Sequence, residues 1–254
     1  IRDRPGWFHD QPGRLEIQRK VTQTLASLRR RKDPDEIALL ELCCRAGDAG
    51  HAWARAHLAP GMTEMQLYAG ISAACSLAAG RAVIVYGDFA VSPGPERKGG
   101  PATERVIRPG DMVIVDFSVV LFGYRCDFTA TLCAGEPTAR QRKLFDVARE
   151  GMRRGEETLQ PGAKARDVHA AVFSAFVEAG MPEAFPHHAG HGLGLSHPEA
   201  PFFVPNSEDV LVEGDVVTLE PGAYVPGVGG LRIEHNYLVT GFGPAVLSRH
   251  HLGL

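Results

Sequence analysis

Two β-prone runs, each carrying one aspartate, constrain this chain more than any other feature. Val113-Ile114-Val115-Asp116-Phe117-Ser118 leads through a glycine-bearing turn into Gly123-Tyr124-Arg125-Cys126-Asp127-Phe128-Thr129. Valine, isoleucine and phenylalanine around a carboxylate predict a mostly buried strand. Burying a carboxylate is costly unless something neutralises it. As neighbours on paired strands, Asp116 and Asp127 repel one another when no cation lies between them. A metal ion is the simplest remedy; the plainer alternative is that each Asp caps a turn.

A later stretch repeats this grammar. Gly110-Asp111 opens the strand that reaches Asp116, and Gly214-Asp215 opens Val216-Val217-Thr218-Leu219-Glu220, with the acid five residues after the Asp in both. Each strand then leads through a glycine-bearing turn to a second acid, Asp127 in the first case and Glu234 in the second. Two pairs of strand-borne acids speak against turn caps.

The chain has 254 residues, 44% of them apolar and 22% charged, with a net charge of −3. That is enough to bury a substantial core, and the charge creates no global attraction to nucleic acid or a membrane surface. No apolar run approaches the roughly 20 residues that span a bilayer. The five cysteines lack the spacing of zinc or redox motifs. They read as reduced core residues of a cytoplasmic protein.

In order, residues 1–13 read as an irregular lead-in. Ile17, Val21, Leu25 and Leu28 recur at helical spacing, and Arg29-Arg30-Arg31-Lys32 reads as the solvated, cationic end of that helix. Asp33-Pro34-Asp35-Glu36 opens a helix running toward Leu58. Thr63-Glu64-Met65-Gln66 opens another that ends near Gly80. Arg81 to Tyr86 reads as a strand and residues 87–104 as a long loop. Thr138-Ala139-Arg140-Gln141 opens a further helix, and Ala163 to Ala179 forms the next. Leu58-Ala59-Pro60-Gly61 is echoed by Leu159-Gln160-Pro161-Gly162. The pattern is a duplicated unit with both acid pairs on one central sheet and helices outside, too short to be a solenoid.

Four of the eleven histidines fall in Pro186-His187-His188-Ala189-Gly190-His191-Gly192-Leu193-Gly194-Leu195-Ser196-His197. Glycines around His191 let the backbone approach an ion or substrate closely. Four carboxylates and an imidazole form an oxygen-rich set suited to manganese, iron or cobalt, with zinc possible. Bridging carboxylates hold two divalent ions roughly 3.5–4 Å apart in hydrolytic sites, and hydrolysis of an amide is the natural use.

These residues resemble the pita-bread metallopeptidases, the family of aminopeptidase P, prolidase, methionine aminopeptidase and creatinase. The resemblance covers about residues 29 to 241. It rests on Val115-Asp116-Phe117, Asp127-Phe128-Thr129, Gly190-His191-Gly192-Leu193-Gly194, Leu219-Glu220-Pro221-Gly222 and Arg232-Ile233-Glu234. It implies an α+β, duplicated pita-bread fold with a central antiparallel sheet and pseudo-twofold halves. Asp116 would then chelate one divalent ion, His191 and Glu220 the other, with Asp127 and Glu234 bridging and Glu220 also acting as base. Arg232 resembles the arginine beside the bridging acid, and His187 a histidine near the substrate.

The Xaa-Pro branch is the one resembled. It implies hydrolysis before proline by a hydroxide held between two metal ions, most simply manganese, on a small peptide substrate. It also implies a possible homodimer, no nucleic-acid or membrane partner, residues 1–32 as lead-in and linker helix, and residues 33–254 as the catalytic domain. An upstream domain would lie outside this sequence. Two positions depart from the pattern. Gly99 and Gly100 stand where a histidine precedes the first ligand by about seventeen residues. Pro198 stands seven residues after His191 where the family has a catalytic histidine, with His197 one residue early. The expectation is that His197 turns into the site and replaces that histidine; otherwise His187 or His188 supplies the donor. A lyase or amidohydrolase of the same fold acting on a non-peptide molecule is the alternative, and a binding module without catalysis a third.

Overall fold

The computed structural model describes residues 13–92 and 100–254. Except for Gly13, the expected lead-in lies outside them, as does Gly99. Helices α1 (Arg14–Arg30), α2 (Pro34–His57) and α3 (Glu64–Ala79) come first. Strands β1 (Ile84–Ser92), β2 (Met112–Leu121), β3 (Tyr124–Arg125) and β4 (Phe128–Cys133) follow. Then come α4 (Ala139–Thr158) and α5 (Ala165–Glu178). The chain continues through β5 (His191–Gly192), β6 (Glu199–Phe202), β7 (Val216–Leu219) and β8 (Gly222–Val225). It closes with β9 (Gly229–Arg232), β10 (His235–Thr240) and β11 (Gly243–Val246).

The helix starts follow from local chemistry. The Asp33 N–H donates to Glu36 at 2.8 Å, Thr63 and Gln66 exchange bonds of 2.9 and 3.1 Å, and Thr138 and Gln141 exchange bonds of 2.7 and 3.3 Å. Each pair satisfies backbone donors that a helix N-terminus otherwise leaves unpaired. Helices α2 and α3 enclose one apolar core with Leu67, Ile71, Phe117 and Phe128, and α4 and α5 enclose a second with Phe176, Leu219, Ile233 and Tyr237.

The duplication is written in the hydrogen bonds. Gly61 N–H donates to Ile107 O at 2.9 Å, and Gly162 N–H to Leu211 O at 2.8 Å. Glu64 N–H donates to Arg105 O at 3.0 Å, and Ala165 N–H to Asp209 O at 2.9 Å. The Asp111 carboxylate accepts Arg108 N–H, and the Asp215 carboxylate accepts Val212 N–H, both at 2.8 Å. Gly110 and Gly214 supply the positive φ (84° and 91°) before each Asp. Only glycine takes that conformation without strain, which is why Gly-Asp opens both strands.

The strands at the centre form two hydrogen-bonded sheets rather than the single one expected. In the first sheet, β2 lies between β1 on one side and β3 and β4 on the other; the second runs β11-β10-β7-β5-β6, and β8 and β9 form a ribbon. The first two meet along a seam. Glu234 N–H donates to Thr129 O at 2.9 Å, and Thr129 Oγ1 donates to Glu234 Oε2 at 2.7 Å across a separation of 105 residues. The same separation relates Asp127 to Arg232 and Thr131 to Asn236. The Asn236 amide takes both backbone groups of Asp127, and the Thr131 hydroxyl takes both backbone groups of Arg232. Side chains thus stand in for ladder bonds, and the pseudo-twofold passes beside Thr129 and Glu234.

Two expectations are corrected here. β1 continues to Ser92, through residues read as loop, because Gly87 signals close approach: a Cβ there would lie 2.0 Å from Asp116 O. Strand glycines mark such contacts as often as breaks. The basic run at the end of α1 is solvated only at Arg29 and Arg31. Arg30 holds Asp215 through bonds of 2.7 and 2.8 Å, and Lys32 is buried against Glu199 at 2.6 Å. The described cysteines carry no bridges; four are buried and Cys133 is half-buried. Among the described residues no helix is long and apolar enough to cross a membrane.

Because Asn236 supports both backbone groups of Asp127, its replacement has a defined cost. Asn236→Ala should lower the free energy of unfolding by about 2–6 kcal/mol, roughly 1–3 for each of the two backbone groups left unpaired. A loss below about 0.5 kcal/mol in urea unfolding would mean that packing alone carries the seam.

Candidate metal centre

The seam delivers the acids. Asp116 sits on β2 opposite Thr129 of β4, Asp127 precedes β4, Glu220 follows β7 and Glu234 lies between β9 and β10. His191 opens β5, where a Cβ on Gly190 would lie 2.1 Å from Thr218 O. That contact draws the histidine loop onto the strand leading to Glu220.

Ligand atoms of Asp116, Asp127 and Glu234 lie within 4.8 Å of one another, and so do those of Asp127, His191 and His197. His191 Nε2 is 3.7 Å from Asp127 Oδ2 and 3.4 Å from Glu220 Oε1. The five residues expected to bind metal therefore line one continuous site, with Asp127 common to both groups. His197 also points in, with its Nε2 on the Asp127 carboxylate. Its one-residue displacement from the resembled pattern falls in a turn before β6, where a side chain is not bound to alternate faces as it is in a strand.

Hydrogen bonds set the histidine tautomers. His191 Nδ1 lies 2.9 Å from Gly192 O, and a carbonyl can only accept, so Nδ1 carries hydrogen. In the neutral ring Nε2 then presents a lone pair to two carboxylates, an arrangement that favours a cation between them. His187 Nδ1 likewise donates to His188 O at 2.7 Å, leaving Nε2 to accept from Tyr224 OH at 3.2 Å. Arg232 donates to Tyr224 OH at 3.0 Å and to the Asp116 carboxylate.

The electrostatics show how poorly protein groups alone neutralise this cluster. Burial, opposed by Arg232 but reinforced by Asp127 and Glu220, pushes Asp116 up to about 7. Burial and the three other acids hold Glu234 well above the carboxylate range. Burial also acts to raise Glu220, but His188, at 3.3 Å, together with His191 and Arg232 outweighs it and keeps that acid below its usual range. Burial opposes the charge on His197, yet Asp127 raises it overall. His187 is lowered to about 4 by burial and stays neutral. Glu234 Oε1 is buried with no hydrogen-bond partner. An orphaned acceptor, a lone pair facing carboxylates and hard oxygen ligands together fit divalent ions.

A cavity of about 480 Å³ opens on this cluster, lined by Tyr86, Asp88, His187, His188, His197, Tyr224 and Arg232 among others. Asp88 and Tyr224 were not expected from the sequence, in which His188 stood only as an alternative donor. Asp88 faces Asp116 across the β1–β2 ladder and lies 3.5 Å from Arg232. The signal for it was the period-two continuation of β1 past Gly87. Nothing local marked Tyr224.

Residues 38–241 match the model of metallopeptidase family M24. The Xaa-Pro dipeptidase of Pyrococcus furiosus is 29% identical over 236 residues, which cover 91% of this chain and 66% of that protein. The probable dipeptidase PepE of Mycobacterium tuberculosis is 34% identical over 221 residues, covering 87% and 59%. Among solved structures, dipeptidase PepE from Mycobacterium ulcerans superposes with a TM-score of 0.84 at 33% identity, covering 92% of this chain and 63% of that one. The Xaa-Pro dipeptidase from Bacillus anthracis gives 0.81 at 30% identity, covering 91% and 65%. The chain thus spans about two thirds or less of the length of these relatives. With four fifths of its residues inside the family match, it belongs to metallopeptidase family M24 and has the α+β pita-bread fold.

Proposed function

We propose that this chain is the catalytic portion of a dinuclear metallopeptidase that hydrolyses the bond before proline in short peptides. The observation that carries the reading is the convergence of Asp116, Asp127, His191, Glu220 and Glu234 on one site, the first four lining an open cavity and Glu234 buried beside Asp116 and Asp127. The names of the relatives, Xaa-Pro dipeptidases among them, support the substrate class. Asp127 and Glu234 would hold both ions, Asp116 one, and His191 with Glu220 the other. Two divalent ions there, manganese in the first instance, would polarise the scissile carbonyl and acidify a shared water.

The chain's own groups perform the rest. Glu220, kept ionised by His188, His191 and Arg232, accepts the proton of the attacking water and returns it to the departing proline nitrogen. The water oxygen bonds to the carbonyl carbon while the carbonyl π pair moves onto oxygen; the pair then returns, the carbon–nitrogen bond breaks, and the proline nitrogen takes its electrons and the proton from Glu220. His197, whose charged form Asp127 favours, donates a hydrogen bond to the carbonyl oxygen as negative charge develops. Arg232 holds Asp116 and, through Tyr224, the neutral His187 on the cavity wall. One feature favours a second reading. At the rim the Gly100 N–H donates to Asp88 at 2.8 Å, so this position offers no imidazole to a peptide. A small non-peptide substrate would not need one.

With Mn²⁺ added, a Xaa-Pro dipeptide or a longer Xaa-Pro peptide should be hydrolysed, and comparing the two distinguishes dipeptidase from aminopeptidase. Fully metal-loaded protein that turns over neither peptide would move the assignment to the non-peptide reading. His197→Ala should lower kcat by about 10²–10³ with metal content unchanged. Loss of metal from that variant would instead make His197 a ligand.

Metal binding should also depend on pH. Asp116 and Glu234 retain protons at pH values where ordinary carboxylates are ionised, and a metal ion must displace them. Mn²⁺ affinity should therefore rise with pH between 6 and 8, about tenfold per unit for each proton released. Titration calorimetry in buffers of different ionisation enthalpy reads that release directly. An affinity flat across the range contradicts protonated acids in the metal-free site.

A further inference from the structure

The hairpin that carries His191 and His197 is held from outside by the segment joining α1 to α2. Glu199 begins β6, opposite Gly192 of β5, so its backbone lies on the arm of the hairpin that follows His197. Its carboxylate turns away from the metal cluster. Oε1 accepts from Lys32 Nζ at 2.6 Å, and Oε2 accepts Ser196 N–H at 3.3 Å. The pair is secluded, with side-chain exposures of 2% for Lys32 and 13% for Glu199. Lys32 is itself fixed: Nζ donates to Arg30 O at 3.2 Å, and its N–H to Gly214 O at 3.3 Å. The turn packs directly on this pair, since a Cβ on Gly194 would lie 2.8 Å from Lys32 Cε and 3.1 Å from Glu199 Oε1. Arg125 N–H pins the same turn from the other side, donating to Gly194 O at 3.1 Å.

We infer that Lys32 is a positioning residue for His197, acting through Glu199. This inference rests on the proposed role of His197 in peptide hydrolysis. Ser196 N–H binds one oxygen of a carboxylate whose other oxygen is clamped by Lys32, so the two residues that bracket His197 and Pro198 are tied to one rigid point. The imidazole is thereby aimed at Asp127; the other bonds to Ser196 are a 3.3 Å bond from Gly194 N–H to its carbonyl and, at the surface, a 3.5 Å bond from Arg29 to its hydroxyl. Removing the ammonium leaves the secluded Glu199 carboxylate without a counter-charge, held by Ser196 N–H alone, a state that proteins relieve by moving the carboxylate toward water. That movement would carry Ser196, and His197 with it. A displacement of about 1 Å in a reacting constellation can cost a factor of about 10² in rate.

The test is a double-mutant cycle on the metal-loaded chain with a Xaa-Pro peptide. Lys32→Met should lower kcat about 10- to 100-fold, change KM less than about threefold and leave metal content unaltered. In a His197→Ala background the same substitution should have no further effect. Lys32→Arg should restore most of the rate, because it keeps a cation at Glu199. Should Lys32→Met fold poorly, Glu199→Gln provides the milder variant, with a smaller loss that also vanishes without His197. Losses that multiply in the double variant, or wild-type kcat in both Lys32→Met and Glu199→Gln, would overturn the inference. An unchanged kcat in His197→Ala alone would instead overturn the catalytic reading of that histidine.

Discussion

Repulsion among four carboxylates buried around one point is the constraint on which the rest of this structure depends. Two like charges 4 Å apart cost about 4 kcal/mol at an effective dielectric of 20. With ligand atoms of Asp116, Asp127 and Glu234 mutually within 4.8 Å, the repulsion rivals the net stability of a typical domain. Arg232 is the one permanent cation among the residues lining the cavity, and it is engaged by Asp116 and Tyr224. The site relieves itself by holding protons on Asp116 and Glu234 and by drawing charge onto His188 and His197. Such an arrangement is tolerable in a fold and useful in a metal site, where the same acids become ligands.

The fold answers that constraint by duplication with divergence. Asp116 and Glu220 occupy corresponding places, five residues after the Asp of each Gly-Asp turn. At the seam the correspondence changes character, because Asp127 matches Arg232 and Thr129 matches Glu234. One half thus contributes an acid where the other contributes a base. The backbone contacts remain symmetrical, with Asn236 and Thr131 making equivalent bonds to Asp127 and Arg232. A symmetric scaffold supports a chemically asymmetric site, and its cost is carried by two polar side chains that replace a sheet ladder.

This division explains what was legible in the sequence. The Gly-Asp turns, the Pro-Gly breaks and the capping pairs are local signals, each enforced by backbone geometry within a few residues. They located the helices, the duplication and the strand acids. The His191 loop was legible because glycine must stand where backbone approaches backbone. The seam was not, since Thr131 and Asn236 act on residues about a hundred positions away and look like ordinary polar strand residues. Asp88 was hidden because Gly87 reads as a break when only the sequence is visible, and as a close contact once β1 lies on β2. Lys32 was misread for a related reason: four basic residues at a helix end suit solvent equally well, and only Glu199 and Asp215 decide otherwise.

The same reasoning explains why the histidine loop tolerates a departure at its most sensitive point. In a paired strand, moving His197 by one residue would turn its side chain to the opposite face. Between Leu193 and Pro198 there is no ladder, so direction is set by what grips the turn. That grip comes from Arg125, behind the first acid pair, and from Lys32 through Glu199, ahead of the first half. Both anchors lie outside the second half that supplies the loop. The aim of His197 is therefore a property of how the halves are joined, which is why spacing within the histidine motif alone could not determine it.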